Sequence, residues 1–105
     1  MKALFISLTL LASCNLAMSQ NAPNGPALAG KYGCLICHNV DNKVVGPAFK
    51  AVAEKYRGQD AATNLVQKVI NGGAGQWGRV PMPPHPNVPP EEVKSIVNWI
   101  LGLPA

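Results

Sequence analysis

Two cysteines and a histidine fall within five consecutive residues, and their spacing indicates the chemistry available to the chain. The sequence there reads Cys34-Leu35-Ile36-Cys37-His38. Two thiols separated by two residues can each add to one of the two vinyl groups of a haem, and the next side chain then lies under the iron. The C-x-x-C-H pattern is therefore typical of covalent haem attachment, with Cys34 and Cys37 as the thioether positions and His38 as an axial ligand.

A redox-active dithiol, a disulfide or half of a zinc site could also use this pair of cysteines. A thioredoxin-like redox pair requires a β-α-β setting, and no window of the chain alternates polar and apolar residues as a strand does. A zinc site requires four ligands, and only His85 remains as a usual additional ligand. The motif and its setting together favour haem.

The first residues have the composition of an export signal. Met1-Lys2 is a short positive start, residues 3–12 are apolar, and small residues around Ala17 suit a signal peptidase. We therefore expect a signal peptide over residues 1–19, a polar lead-in over residues 20–26 and a folded domain over residues 27–105, exported to the periplasm. The apolar stretch has about half of the roughly 20 residues that a transmembrane helix needs.

Cys14 leaves a second interpretation of the N-terminus open. Leu11-Ala12-Ser13-Cys14 resembles a bacterial lipoprotein signal, in which the cysteine is lipidated and becomes the new N-terminus. Such a lipid would tether the protein to a membrane. In either interpretation Cys14 is not a residue of the fold, so Cys34 and Cys37 are the cysteines of the domain.

Composition limits the chain to one small domain. Its 105 residues are 48% apolar and 13% charged, with a formal net charge of +4, which argues against both a second core and a disordered chain. Because its nine Lys and Arg form no basic run, we expect no nucleic-acid partner. A domain of this size buries only about 60–65% of its unfolded surface, so a buried cofactor would supply core that the chain lacks.

Apolar residues recur with the period of a helix in four segments, and no internal repeat appears. The predicted helices cover residues 27–36, 47–57, 61–71 and 90–101. Pro47 suits the first turn of the second helix and Asp60 the cap of the third, while the glycine- and proline-rich segments 38–46 and 72–89 are predicted loops. The predicted class is all-α. The apolar faces consist of Leu28, Tyr32 and Leu35; Phe49, Val52, Ala53 and Tyr56; Leu65, Val66, Val69 and Ile70; and Val93, Ile96, Val97 and Ile100.

Over residues 27–103 the chain resembles the class I cytochrome c family, in its short bacterial c-551/c-552 type. Besides the C-x-x-C-H motif, the matching stretches are Lys43-Val44-Val45-Gly46-Pro47, Gly72-Gly73-Ala74-Gly75-Gln76-Trp77-Gly78-Arg79-Val80-Pro81-Met82-Pro83-Pro84 and Val97-Asn98-Trp99-Ile100-Leu101. The resemblance implies an all-α fold of about four short helices wrapped around one covalently bound haem c.

The resemblance also implies roles for individual residues of the haem site. Met82 would be the second axial ligand beside His38, and the prolines around Met82 would stiffen its loop before the loop closes on iron. Pro47 would accept a hydrogen bond from His38 through its carbonyl and so orient the imidazole. Trp77 would direct its indole N–H at a haem propionate.

Three further positions are interpreted from their surroundings. Trp99 lies beside the apolar stripe of the last helix, so we expect it to pack in the core. His85 follows Met82 in the same loop, and we expect a polar loop residue that competes for iron mainly in unfolded or alkaline states. Pro89 stands where many relatives have a capping Ser or Thr, so the cap of the last helix should be weak.

The function that the resemblance implies is one-electron transfer, because an iron bound by both His38 and Met82 has no open position for a substrate. We expect a monomeric periplasmic electron carrier, not an enzyme, with transient redox partners such as a quinol-oxidising donor and a terminal oxidase or reductase. Lys31, Lys43 and Lys50 are available for weak electrostatic steering. The alternatives are a fixed, lipid-anchored haem subunit of a larger respiratory oxidoreductase, and a haem enzyme or sensor in which Met82 is displaced.

Overall fold

The computed structural model describes residues 24–104. These residues form five helices, in chain order α1 (Gly25–Lys31), α2 (Cys34–Cys37), α3 (Phe49–Lys55), α4 (Ala62–Asn71) and α5 (Pro90–Leu101). Between residues 24 and 104 the one β pairing is an isolated antiparallel bridge that joins Gly73 to Met82, so the predicted all-α class is confirmed. The signal peptide expected over residues 1–19, including Cys14, lies outside the described residues.

α1 begins earlier than predicted. Its first residue is Gly25, inside the segment 20–26 that we expected to be a polar lead-in. The side chain of Asn24 accepts a hydrogen bond from the Ala27 N–H at 3.4 Å. A side-chain oxygen at this position satisfies a backbone donor that the first helical turn leaves without a partner. The helical region therefore starts two residues before the predicted boundary at 27.

The prediction of a single helix over residues 27–36 is wrong, because a residue with a left-handed backbone conformation divides this segment into two helices. Gly33 has a φ of 75°, a conformation that glycine adopts readily and other residues rarely. The chain therefore turns between α1 and α2, and the two cysteines of the C-x-x-C-H motif lie on a short helix of their own. Leu35, which we expected on the buried face, is 50% exposed.

α3 is shorter than predicted, and α4 begins without its predicted cap. α3 starts at Phe49, so Pro47 precedes the helix instead of occupying its first turn. The residue before α4 is Ala61, which makes no side-chain capping bond, and Asp60 therefore lacks the role that we predicted. Pro89 makes no side-chain capping bond before α5, as we expected. α4 and α5 otherwise keep their predicted bounds to within one residue.

α5 packs against α1, α3 and α4. One buried cluster joins α5 to α1 and α3, and a second joins α5 to α4. Trp99 packs on the first cluster, where its ring meets the Phe49 ring edge-on with centroids 5.5 Å apart, which confirms its predicted packing role. The residues of α5 predicted to face inward are all buried, namely Val93, Ile96, Val97 and Ile100.

Tyr32, the residue after α1, packs against both clusters and is also hydrogen-bonded to α5. Its hydroxyl donates to the carboxylate of Glu92 in the first turn of that helix. This hydrogen bond, together with desolvation, raises the pKa of Tyr32 above its usual 10.0. The contact ties the chain just before the C-x-x-C-H motif to the last helix.

We predict that Tyr32→Phe lowers the thermal midpoint by a few degrees at pH 7, because Glu92 loses a partly buried hydrogen-bond donor. A raised tyrosine pKa means that the stabilisation is complete below the usual value of 10.0 and is lost as the pH rises through the raised value. The difference between wild type and variant, followed by circular dichroism on heating, should therefore shrink in strongly alkaline buffer.

Tyr56→Phe is the matched control for this substitution. Within residues 24–104 the Tyr56 hydroxyl makes no side-chain hydrogen bond, and the residue is half-buried like Tyr32. We expect its thermal midpoint to stay near that of wild type. Equal midpoints for wild type and Tyr32→Phe at pH 7 would contradict the contact with Glu92.

Candidate functional site

An apolar cleft with about 690 Å³ of empty space, part of it open to solvent, brings together all of the predicted site residues except Cys37, which is not among the described residues that border it. Cys34 and His38 border it from the C-x-x-C-H motif, and Trp77 and Met82 border it from the loop over residues 72–89. The buried face of α5 contributes Ile96, Val97 and Ile100. The cleft therefore joins a motif and a methionine that lie far apart in the sequence.

The two cysteines of the motif begin and end α2, and both are half-buried free thiols. Burial raises the pKa of the Cys34 thiol above its usual 9.0, and the nearby Cys37 adds to that effect. Between residues 24 and 104 no group of three or more His, Cys, Asp or Glu side chains could hold a metal ion.

The His38 imidazole is fixed by a hydrogen bond and by stacking. Its Nδ1 lies 2.8 Å from the carbonyl oxygen of Pro47. Because a carbonyl only accepts, Nδ1 carries a proton, and in the neutral imidazole Nε2 then keeps the lone pair. The ring stacks on Phe49, with centroids 5.0 Å apart and an angle of 22° between the planes. The imidazole is thus oriented as a metal ligand that would bind through Nε2.

Gly46 leaves the space that this imidazole occupies. A Cβ atom at Gly46 would lie 2.7 Å from Nδ1 and 2.9 Å from Nε2 of His38, which is closer than real Cβ contacts. The N–H groups of Val45 and Gly46 donate to the Cys37 carbonyl at 3.1 and 2.7 Å, so the segment returns to the end of α2. We assigned Gly46 no role from the sequence. Its position directly before Pro47 was the one feature that could have pointed to it.

Met82 is placed by the backbone of its loop. Its N–H donates to the Gly73 carbonyl at 2.8 Å, and its own carbonyl accepts from the Gly73 N–H at 3.0 Å. At the end of α4, Gly72 has a φ of 69°, and a Cβ atom there would lie 2.8 Å from the backbone nitrogen of Pro84. The segment around Met82 therefore lies directly against the end of α4, with its half-buried thioether bordering the cleft.

His85 anchors the end of the same segment to α4 through its backbone. Its N–H lies 3.1 Å from the carbonyl oxygens of both Val69 and Ile70. Its side chain is half-buried, and Nδ1 is buried with no hydrogen-bond partner among the described residues. His85 is not one of the residues between 24 and 104 that border the cleft. Of the two possible axial ligands in this loop, Met82 borders the cleft and His85 does not.

Besides Cys34 and His38, two side chains with polar groups border this largely apolar cleft. Trp77 borders it from the glycine-rich loop and is 41% exposed. Lys68 of α4 is half-buried and borders the cleft beside Leu65 and Val69. Lys68 and Val69 share one face of α4 with Leu65 because they follow it by three and four positions. We did not single out Lys68 from the sequence, although the spacing that predicts the apolar face of α4 also places Lys68 on it.

The residues of the cleft fit a haem c. An apolar wall suits a porphyrin, and the thiols of α2 are available for thioether bonds. His38 offers the Nε2 lone pair, Met82 offers a thioether sulfur, and Lys68 offers a cation for the acidic groups of a haem. Each requirement of the cofactor is met by a different side chain.

Comparisons with known proteins agree with this site. Residues 22–104 match the family model for cytochrome c. The chain is 57% identical to cytochrome c-551 of Allochromatium vinosum, over 72% of this chain and 82% of that protein. It is 49% identical to cytochrome c-552 of Nitrosomonas europaea, over 72% of this chain and 75% of that protein.

The fold is also similar to a solved structure. The crystal structure of wild-type Nitrosomonas europaea cytochrome c552 superposes with a TM-score of 0.72 at 46% identity, covering 75% of this chain and 99% of that one. The observed five-helix arrangement, in which α1 and α2 replace the first of the four predicted helices, is thus that of a known cytochrome fold. The chain belongs to the class I cytochrome c family, close to the bacterial cytochromes c-551 and c-552, and is an electron carrier with a covalent haem c at its C-x-x-C-H motif, residues 34–38.

Proposed function

We propose that the protein is a periplasmic one-electron carrier whose haem iron has His38 and Met82 as its two axial ligands. This proposal rests above all on the fact that both side chains border one apolar cleft. Each is fixed by a separate backbone contact, His38 by the Pro47 carbonyl and Met82 by the bridge to Gly73. Two fixed donors leave the iron without an open position for a substrate.

The haem, when bound, supplies a one-electron couple between ferric and ferrous iron. Side chains of the cleft set how readily that couple is reduced. Pro47 accepts the hydrogen bond from Nδ1 and thereby strengthens the donation of His38 through Nε2. Met82 supplies a soft sulfur donor that favours the ferrous state and raises the reduction potential relative to two nitrogen ligands.

Two further side chains support the cofactor in this proposal. Lys68 is a half-buried cation beside apolar residues, and a haem propionate would offer its ammonium an anionic partner. Trp77 has a polar N–H on a large apolar ring at the open part of the loop, and this group also suits a propionate. Both contacts would orient the acidic edge of the haem.

Exposed apolar side chains beside the motif form the surface that we assign to redox partners. These side chains are Leu35 and Ile36 of α2, and Val44 and Val45 of the segment that follows it. A hydrogen bond from the Val45 N–H to the Cys37 carbonyl holds this segment against the end of α2. Lys31 and Lys43 are exposed nearby in the chain and can steer an acidic partner weakly. Lys50 forms an ion pair with Asp41 at 2.6 Å, so we leave it out of the steering set.

This small apolar surface suits brief encounters, because electron-transfer complexes bury little area and dissociate quickly. The partner classes consistent with such a carrier are a quinol-oxidising donor and a terminal oxidase or reductase as acceptor. The proposed periplasmic location rests on the export signal that the sequence predicts over residues 1–19. None of the helices within residues 24–104 is long and apolar enough to span a membrane.

Intact mass of the protein purified from its native envelope tests the proposed location and attachment together. We expect the mass of residues 20–105 plus one haem, retained after extraction with acidified acetone. A chain that begins at Cys14 and carries a lipid would contradict a free carrier and support the tethered subunit. A haem that the acidified solvent removes would contradict attachment through Cys34 and Cys37.

We predict that Met82→Ala removes the weak far-red absorption band that a methionine–iron bond gives to the ferric protein. The reduction potential should fall by on the order of 0.1–0.3 V, because axial-ligand identity tunes haem potentials over about 0.8 V. Absorption spectra and potentiometric titration of the purified variant measure both effects.

His85→Asn is the control for this substitution, because the His85 side chain does not border the cleft in the described residues. It should keep the far-red band and a potential near that of wild type. Wild-type protein that lacks the band at neutral pH, or a band lost in His85→Asn, would contradict Met82 as the ligand.

A further inference from the structure

The loop that carries Met82 is closed at its base but has little to hold its tip. The bridge between Gly73 and Met82 closes the base, and the Gly75 N–H donates to the Gly78 carbonyl at 2.9 Å within the tip, residues 75–78. All residues from 73 to 81 are exposed, and both Gly75 and Gly78 have positive φ angles of 106° and 115°. Glycine-rich, exposed backbone loses much entropy on ordering, so the tip requires an external contact to stay in place.

Lys55, the last residue of α3, supplies such a contact. Its Nζ donates to the Gln76 carbonyl oxygen at 2.9 Å and lies 3.4 Å from Gln76 Oε1. The same ammonium lies 4.4 Å from the centroid of the Trp77 ring, within range of a cation–π interaction. One side chain of α3 therefore contacts two consecutive residues of the loop tip.

The surroundings leave Lys55 free for this role. Among the side-chain hydrogen bonds of residues 24–104, those of Lys55 are the ones that join the tip to another element. The neighbouring carboxylate of Glu54 is engaged with Arg57 at 3.2 Å, so it does not compete for the Lys55 ammonium. Trp77 itself borders the cleft, so its position also affects how far the cleft is covered.

We propose that Lys55 is a positioning residue that clamps the tip of the Met82 loop to α3 and thereby keeps the loop closed over the haem cleft. The proposal rests on Met82 as the axial ligand of the proposed function. Met82 is released only when its loop opens. Among the described residues the base of the loop is held by the Gly73 bridge and by the His85 N–H, and its tip is held by the Lys55 contacts. Loss of the Lys55 contacts should let small molecules reach the iron more often.

The rate at which imidazole displaces Met82 from the ferric holoprotein tests this role. Imidazole is mainly uncharged at pH 8, so removing one lysine does not change its electrostatic attraction to the protein. Each exposed contact of Lys55 should contribute a factor of about two to five. We expect Lys55→Met to accelerate the loss of the far-red band by about five- to twentyfold.

Two further variants separate a clamp from a general effect of charge or stability. Lys55→Arg should stay within about twofold of wild type, because a guanidinium also donates to a carbonyl and stacks on an indole. Lys94→Met removes an exposed lysine of α5 and should leave the rate unchanged. A rate for Lys55→Met within twofold of wild type, or an equal acceleration in Lys94→Met, would overturn the proposal.

Hydrogen exchange in the ferrous protein gives an independent measure of the same motion. In Lys55→Met we expect the Gly75 amide to exchange about five- to twentyfold faster while the amides of α5 keep their rates. Equal acceleration in α5 would show general destabilisation and overturn the clamp. Wild-type protein without the far-red band would instead overturn Met82 ligation, and the Gly75 exchange rates would then decide the Lys55 contact by themselves.

Discussion

The hydrogen bond between His38 Nδ1 and the Pro47 carbonyl is the contact on which the rest of the site depends. It fixes the tautomer of the imidazole, because the proton must lie on the nitrogen that faces the carbonyl. It also joins the end of α2 to the start of α3 across the segment 38–46. Because Gly46 has no side chain, it leaves room for the imidazole, and the Phe49 ring stacks on the imidazole. A single contact thus couples the motif, the loop and the next helix.

The core and the cofactor site share one wall. Ile96 and Ile100 belong to one buried cluster and Val97 to the other, and all three residues also border the cleft. A small domain buries a smaller share of its surface on folding than a large one, so additional apolar contacts matter more to its stability. The haem therefore completes a core that the helices leave open, which explains why α5 is apolar along the whole face that it turns inward. Folding and cofactor binding involve the same side chains.

Local sequence patterns predicted the parts of the structure that local physics determines. The periodicity of α4 and α5, and the spacing of the cysteines, are of this kind. The break at Gly33 was missed because the surrounding apolar spacing is compatible with one continuous helix, and only the backbone angle shows the turn. The missing cap at Asp60 likewise depends on where the chain enters α4.

Contacts between distant segments could not be read from local patterns. The approach of Gly46 to His38 and the bond from Lys55 to Gln76 join segments that come together only in the fold. The assignments of Pro47, Trp77 and Met82 came from resemblance to a family, and the structure adds that all three border one cleft. The helical pattern of α4 also places Lys68 on the apolar face, but a lysine is normally expected to face solvent and not a cleft.

Nitrogen-15 NMR of the His38 ring in the ferrous holoprotein measures the central contact most directly. We expect one ring proton, on Nδ1, that exchanges slowly with water because it is bound to the Pro47 carbonyl, and an Nε2 without a proton because it binds the iron. A proton found on Nε2, or an Nδ1 proton that exchanges as freely as that of a solvent-exposed histidine, would contradict this arrangement.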